Sequence, residues 1–207
     1  MKVAVLGGTG AFGSALAGRL VEAGLEVSIG SRDADRAAAA AAELGAARGA
    51  ANAQAVDGVD HVVLSVLAAA ALETVAELAD PIGETAVLSV ASEVRVVGGV
   101  AFPGDNPLSL AERAQELLRG PVVAGLHSLA AATLGGDEPP DEDAFVCGDD
   151  PDGKALALEV AGRICDGRAL DAGPLASARA LEGLTAVIVN LNKRYRAHAG
   201  IRVTGIR

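Results

Sequence analysis

The sequence predicts an α/β fold, a doubly wound and mostly parallel sheet with a small α/β part at its C-terminal end. Two observations carry this prediction. Short apolar runs alternate with helical periodicity along the whole chain, the pattern of repeated strand–crossover–strand units. The runs are also continuously apolar, as in MKVAVL and DHVVLSVL, whereas a strand with one wet face would alternate.

Met1–Leu6 is the first expected strand, followed by the glycine-rich turn Gly7–Gly13. A helix over Ala15–Ala23 carries Leu16, Leu20 and Val21 on one face and stops at Gly24. Leu25–Gly30 is the second strand, and Asp33 or Asp35 starts a helix that runs through an alanine tract to Gly45. Then come a strand at Asp60–Leu67, a helix at Ala69–Leu78 broken before Pro81, and a strand at Ala86–Val90. Ser109 and Glu112 make a capping box for a short helix within Asn106–Arg119. Val122–Leu126 and Ala144–Cys147 are strand-like, and Asp150-Pro151 caps and opens a helix to Ile164. Arg168–Asp171 is a last short strand. Pro174 opens a long helix whose Leu175, Ala178, Leu181, Leu184, Ile188, Leu191 and Tyr195 form one stripe. Val94–Asn106 and Gly135–Asp143 read as exposed loops, neither of them a domain linker.

The 207 residues suffice for one domain, or one with a small appendage. A net charge of −10 argues against nucleic acid, whose phosphates need clustered Lys and Arg. Cys147 and Cys165 stand far apart with no CxxC or Cys/His spacing. Two buried free thiols are therefore expected, with neither disulfide nor metal site. The N-terminus lacks the apolar stretch of a signal peptide and no apolar run approaches a membrane span. The expectation is a soluble, cytoplasmic protein.

Gly8-Thr9-Gly10-Ala11-Phe12-Gly13 fits G-x-G-x-x-G. That pattern is weak alone, but here it follows a buried strand and opens an amphipathic helix, the context of a Rossmann-type dinucleotide site. Gly8 is expected to make the tight turn, Gly10 to let the pyrophosphate approach, and Gly13 to allow close helix–sheet packing. The helix N-terminus offers free amides to the phosphates. Where an NAD enzyme places Asp or Glu after the second strand, this chain has Gly30-Ser31-Arg32. A guanidinium and a hydroxyl suit the 2′-phosphate of NADP(H), with Thr9 as a further donor. One charge-assisted bond is worth ~1.5–3 kcal/mol, so Arg32 alone would favour NADP roughly ten- to a hundredfold. A solvated Arg32, with Asp33 as helix cap or ribose ligand, is the alternative. Ser65 and Val66, at the end of the DHVVLSVL run, are also assigned to the cofactor site. Residues 1–125 are thus the expected dinucleotide-binding domain, and 126–207 a smaller part completing an acceptor cleft.

Catalytic machinery is sparse. The sole tyrosine, Tyr195, lacks the Tyr-x-x-x-Lys partner, and no G-x-S-x-G nucleophile is present. His61 at a strand start reads as a surface residue, and His198 as a partner of a helix C-terminal dipole. His127 follows the strand VVAGL, where α/β sites collect, and is either a site residue or a satisfied loop histidine. Such sparseness suits hydride exchange between two redox cofactors, which needs positioning more than acid–base groups.

GGTG-x-x-G, GSR, VCGDD (Val146–Asp150), LDAGPL (Leu170–Leu175) and the Arg-x-x-E-x-L-T run (Arg179–Thr185) ending in Asn190 occur together. This set resembles the NADPH-dependent reductases of coenzyme F420, nearly end to end. The resemblance implies an oxidoreductase, a homodimer, and hydride transfer between nicotinamide C4 and deazaflavin C5. It implies that Thr9, Ser31 and Arg32 contact the 2′-phosphate, and that His127 and Leu129 border the deazaflavin. It places Arg179 and Thr185 near the two reacting rings. Arg179 as a surface ion pair and Thr185 bonded to its own helix are the bland alternatives. The chain departs from the family's pattern at Leu67-Ala68-Ala69-Ala70, where proline and large side chains are frequent. It departs also at Ser89-Val90-Ala91-Ser92 and at Gly183. These departures leave two other readings: an NADPH reductase of a flavin, ferric complex or imine, and a non-catalytic NADP(H)-sensing module. The apolar tail Ile201–Ile206 and the long helix offer surface for a dimer or for packing within the chain.

Overall fold

The computed structural model describes residues 1–206. Its first elements are β1 (Lys2–Leu6), α1 (Ala11–Glu22), β2 (Glu26–Ser31), α2 (Ala34–Leu44), β3 (Arg48–Ala51), α3 (Asn52–Ala55), β4 (His61–Leu64), α4 (Ala68–Ile82) and β5 (Ala86–Ser89). A hairpin of β6 (Val94–Val97) and β7 (Val100–Pro103) and the short α5 (Leu110–Gln115) lead to β8 (Val122–Gly125). Then follow α6 (Ala131–Leu134), β9 (Ala144–Gly148), α7 (Pro151–Ile164), β10 (Ala169–Asp171), a 3-10 turn at Leu175–Ser177, and α8 (Ala178–Tyr195).

Eight strands form one sheet in the order β10-β9-β8-β5-β4-β1-β2-β3. Every pair is parallel except β8 with β9. The run β3-β2-β1-β4-β5-β8 has the Rossmann order, with its direction switching between β1 and β4. Both faces are covered. Along β1, Val3 and Val5 pack with Leu16 and Leu20 of α1 and Val160 and Ile164 of α7. Ala4 and Leu6 pack on the opposite face with Val75 and Leu78 of α4, Leu110 of α5 and Leu181 of α8. This alternation explains why the strands read as unbroken apolar runs.

Several boundaries differ from the expected ones. α1 begins at Ala11 because the helix springs directly from the glycine turn. α4 continues through Pro81 to the buried Ile82 and closes at Gly83; a proline there gives up one hydrogen bond near the helix end. β3 and α3 were not foreseen: RGAA has little strand character of its own and extends by pairing with β2. The segment Val94–Asn106 is no plain loop. It contains the hairpin, turning at Gly98 and Gly99 with φ of +58° and +79°, as a Gly-Gly turn favours.

Gly135–Asp143 is not wholly exposed either. Asp143 is fully buried, and its carboxylate accepts from the Arg168 guanidinium at 2.6 Å and the Val203 amide at 2.7 Å. The Arg168 guanidinium holds that carboxyl well below the usual carboxylate range. The Asp143 amide donates to the Ile201 carbonyl at 2.8 Å, so the apolar tail folds back on its own chain. His61 is not at the surface. It is fully buried in β4 between β1 and β5, and neither ring nitrogen has a partner among the described residues. Burial lowers its pKa to about 4. His198 lies beyond the last turn of α8, which ends at Tyr195 with Arg196 left-handed, and is exposed. Cys147 and Cys165 are buried free thiols, and burial pushes their pKa up to about 12 and about 11. No helix is long and apolar enough to cross a membrane among the described residues.

Candidate functional site

The carboxyl ends of β1, β2, β4, β5 and β8 open onto a cleft of about 680 Å³. The end formed by the glycine turn is made largely of backbone. Gly7, one residue before the motif, has the positive φ of +79°, and Gly8 follows it in the turn that the Gly10 amide closes onto the Gly7 carbonyl at 2.9 Å. A side chain at Gly7 would also strike the Ser65 carbonyl oxygen, 2.6 Å from an added Cβ. Gly8 is buried against Ile29 and the Val5 carbonyl. At Gly13 a Cβ would lie 2.3 Å from the Gly7 oxygen, so the first turn of α1 packs onto the loop with no room to spare. An added Cβ at Gly10 would meet within 4 Å a single atom, the Gly7 oxygen at 3.3 Å, and its exposed backbone faces the cleft. Gly10 is the cap of α1, with no side-chain hydrogen bond and no acidic residue in the first turn. The leading amides of α1, and Thr9, Ala11 and Phe12 at the wall, are thus arranged for an anion.

Ser31, Arg32, Asp33 and Arg36 close this end. Asp33 is occupied as the cap of α2, accepting from the Asp35 and Arg36 amides at 3.1 Å each. Ser31 is buried and accepts from the Asp33 amide at 3.2 Å, which aims the start of the loop. Arg32 and Arg36 are exposed, and neither joins an ion pair among the described residues. Arg36 was missed in the sequence. Its signal was its place one helical turn beyond Arg32. Asn52, also missed, lies at the wall with its side-chain oxygen buried and without a partner among the described residues.

The opposite end is built from side chains far apart in sequence. β4 stops at Leu64, and Ser65, Val66 and Leu67 leave the sheet to line the cleft. Leu67 is 83% exposed, followed by the small Ala68 and Ala70. After β8, Leu126 adopts a left-handed φ of +65°, costly for a branched side chain. That turn places the buried His127, with Nε2 3.3 Å from the Ala91 carbonyl and Nδ1 unpartnered among the described residues. Burial lowers the His127 pKa to about 4, against a smaller opposing pull from that carbonyl. The ring is therefore neutral at physiological pH and brings no charge to the cleft. Leu129 completes this wall, and Thr185 reaches it from α8.

Arg179 does not line the cleft. Its guanidinium donates to the main-chain carbonyls of Asn106 at 2.9 Å and Gly104 at 2.8 Å. The neighbouring motif positions act similarly. Glu182 accepts from the Leu110 and Ala111 amides at the start of α5, and Asn190 bonds both the amide and carbonyl of Ala101 at 2.8 Å. Burial raises the Glu182 pKa. α8 thus fastens the excursion between β5 and β8, and of its motif residues Thr185 alone lines the cleft among the described residues.

The model of the family NADP oxidoreductase, coenzyme F420-dependent, matches residues 2–93. The F420-dependent NADP reductase of Methanothermobacter thermautotrophicus is 37% identical over the whole chain and 96% of that relative. The enzyme of the same name from Methanothermobacter marburgensis is 36% identical, covering the whole chain and 99% of that relative. Among solved structures, a proposed F420-dependent NADP reductase from Arthrobacter sp. FB24 superposes with a TM-score of 0.82 at 27% identity, covering 96% of each chain.

Proposed function

The chain belongs to the F420-dependent NADP reductase family, and from that premise we propose that it transfers a hydride between NADPH and the deazaflavin coenzyme F420. The observation that carries this reading is a single cleft with an anion-binding backbone end and an uncharged, mostly apolar end. Pyrophosphate suits the amides at Gly10–Gly13, and the 2′-phosphate suits Thr9, Ser31, Arg32 and Arg36. Ser65 and Val66 flank the nicotinamide, while His127, Leu129 and Thr185 border the acceptor ring. Residues 126–207 thereby complete the acceptor side.

In the direction of deazaflavin reduction, a hydride leaves C4 of NADPH and a proton from solvent balances the reduced ring. The chain's part is to hold two planar groups face to face and exclude water from between them. His127, neutral at physiological pH, serves that role through shape and hydrogen bonding at the acceptor ring, not through charge. Mixing the protein with NADPH and oxidised F420 in a stopped-flow instrument should bleach the deazaflavin's visible absorbance. Absence of turnover at every pH tried would overturn the reading.

A cytoplasmic homodimer fits the same reading. Val96, Val97, Val100 and Phe102 of the hairpin and Val187, Leu191 and Tyr195 of α8 are exposed apolar residues on two elements that pack together, and a second copy would cover them. Light scattering at micromolar protein should give twice the chain mass.

A further inference from the structure

Residues 91–93 form an irregular segment between β5 and the hairpin, and each is held from a different direction. His127 Nε2 meets the Ala91 carbonyl at 3.3 Å, and Ser92 Oγ lies 2.7 Å from Thr185 Oγ1. Glu93 is gripped by Arg113 at 3.2 Å and accepts from the Gly104 amide at 2.7 Å. Ala91, Ser92, His127 and Thr185 all line the cleft. A helical threonine often bonds the carbonyl one turn back, but Thr185 bonds instead to a residue 93 positions away.

Two hydroxyls carry two hydrogens. Their mutual bond uses one, and neither oxygen has another partner among the described residues. One O–H is left for a ligand. A hydroxyl donates a hydrogen bond without surrendering its proton at neutral pH. It therefore suits a carbonyl oxygen on a planar ring, whereas an imine needs a proton delivered as well as a hydride. Resting on the hydride-transfer reading above, we infer that Ser92 is a positioning residue for acceptor specificity. It fixes the Thr185 hydroxyl so that the pair offers one hydrogen to a ring carbonyl of the acceptor.

The test uses the full-length protein and compares Ser92→Ala, Ser92→Thr, Thr185→Val and the double variant Ser92→Ala with Thr185→Val. The dissociation constant of oxidised F420 is read from its fluorescence, that of NADPH by titration, and KM and kcat from turnover. Ser92→Ala should weaken F420 binding and raise its KM about five- to tenfold, leaving NADPH binding unchanged. Ser92→Thr should restore F420 binding to within about twofold of wild type, and the double variant should lose no more than Thr185→Val alone. Unchanged F420 binding in Ser92→Ala, equal losses for both ligands, or single losses that multiply in the double variant would each overturn the inference alone. Wild-type protein that binds NADPH but no F420 would overturn the hydride-transfer reading, and this inference with it.

Discussion

The two ends of the cleft are made in different ways. The glycine-turn end comes from two stretches close in sequence, residues 7–13, where glycines bring backbone amides and a helix end to the surface, and residues 31–36. The acceptor end comes from side chains at positions 67, 92, 127, 129 and 185, brought together only by the sheet order and by α8. At Gly7, Gly8 and Gly13 the first design leaves no room for an added side chain. The second tolerates new side chains and so can change its ligand while the fold is kept.

The contrast can be tested, beginning where the largest effect is expected. Gly13→Val would force a branched side chain against the Gly7 oxygen and should destabilise by about 3 kcal/mol or more, with NADPH binding lost. Denaturant unfolding and NADPH titration would check it; a native-like variant would break the claim that this end has no slack.

The second prediction concerns the two buried histidines. His61 and His127 both have folded-state pKa values near 4, below the ordinary 6.5. Between those values the unfolded chain binds protons that the native chain does not, so stability should fall as pH drops from about 6.5 towards 4. Each histidine contributes roughly 3 kcal/mol to that loss by linkage. His61→Leu should remove its share and leave stability at pH 7.5 equal or higher, because both ring nitrogens lack partners. Urea melts at pH 7.5 and 5 would measure the slope; an unchanged slope would sink the prediction.

Third, Arg32→Ala should weaken NADP binding roughly tenfold or more, by ~1.5–3 kcal/mol, and leave NAD binding unaltered. Arg36→Ala should act in the same direction, and equal effects on NAD and NADP would sink the 2′-phosphate assignment. Fourth, Arg179→Ala should cost about 1–2 kcal/mol of stability through its two lost main-chain bonds. Its effect on F420 turnover should be smaller than that of Thr185→Val. A larger kinetic effect would place Arg179 nearer the chemistry than its contacts do.

The same contrast governs how much could be read in the sequence. The strand MKVAVL, the glycine turn and the Ser31-Arg32 pair are local patterns, and their place in the fold follows from neighbours in the chain. Even there, the left-handed residue is Gly7, outside the G-x-G-x-x-G pattern. β3 escaped notice because Arg48-Gly49-Ala50-Ala51 becomes a strand through β2, not through its own propensity. The hairpin carried a legible signal in Gly98-Gly99, but its apolar strands are anchored by Asn190 from far along the chain. His61 looked like a surface residue because nothing local reports that β1 and β5 will flank it. The C-terminal motif was specific, yet most of its polar groups serve the excursion after β5; the pairing of Thr185 with Ser92 lay beyond any local reading.

That fastening by α8 orders events during synthesis. In a chain emerging from the ribosome the glycine turn comes first and the partner strands β2 and β4 after it. The excursion after β5 waits, because its partners Arg179, Glu182, Thr185 and Asn190 lie 71 to 93 residues further along the chain. An unfinished or truncated chain that captured NADPH would have no place to seat an acceptor, and so could not discharge its hydride.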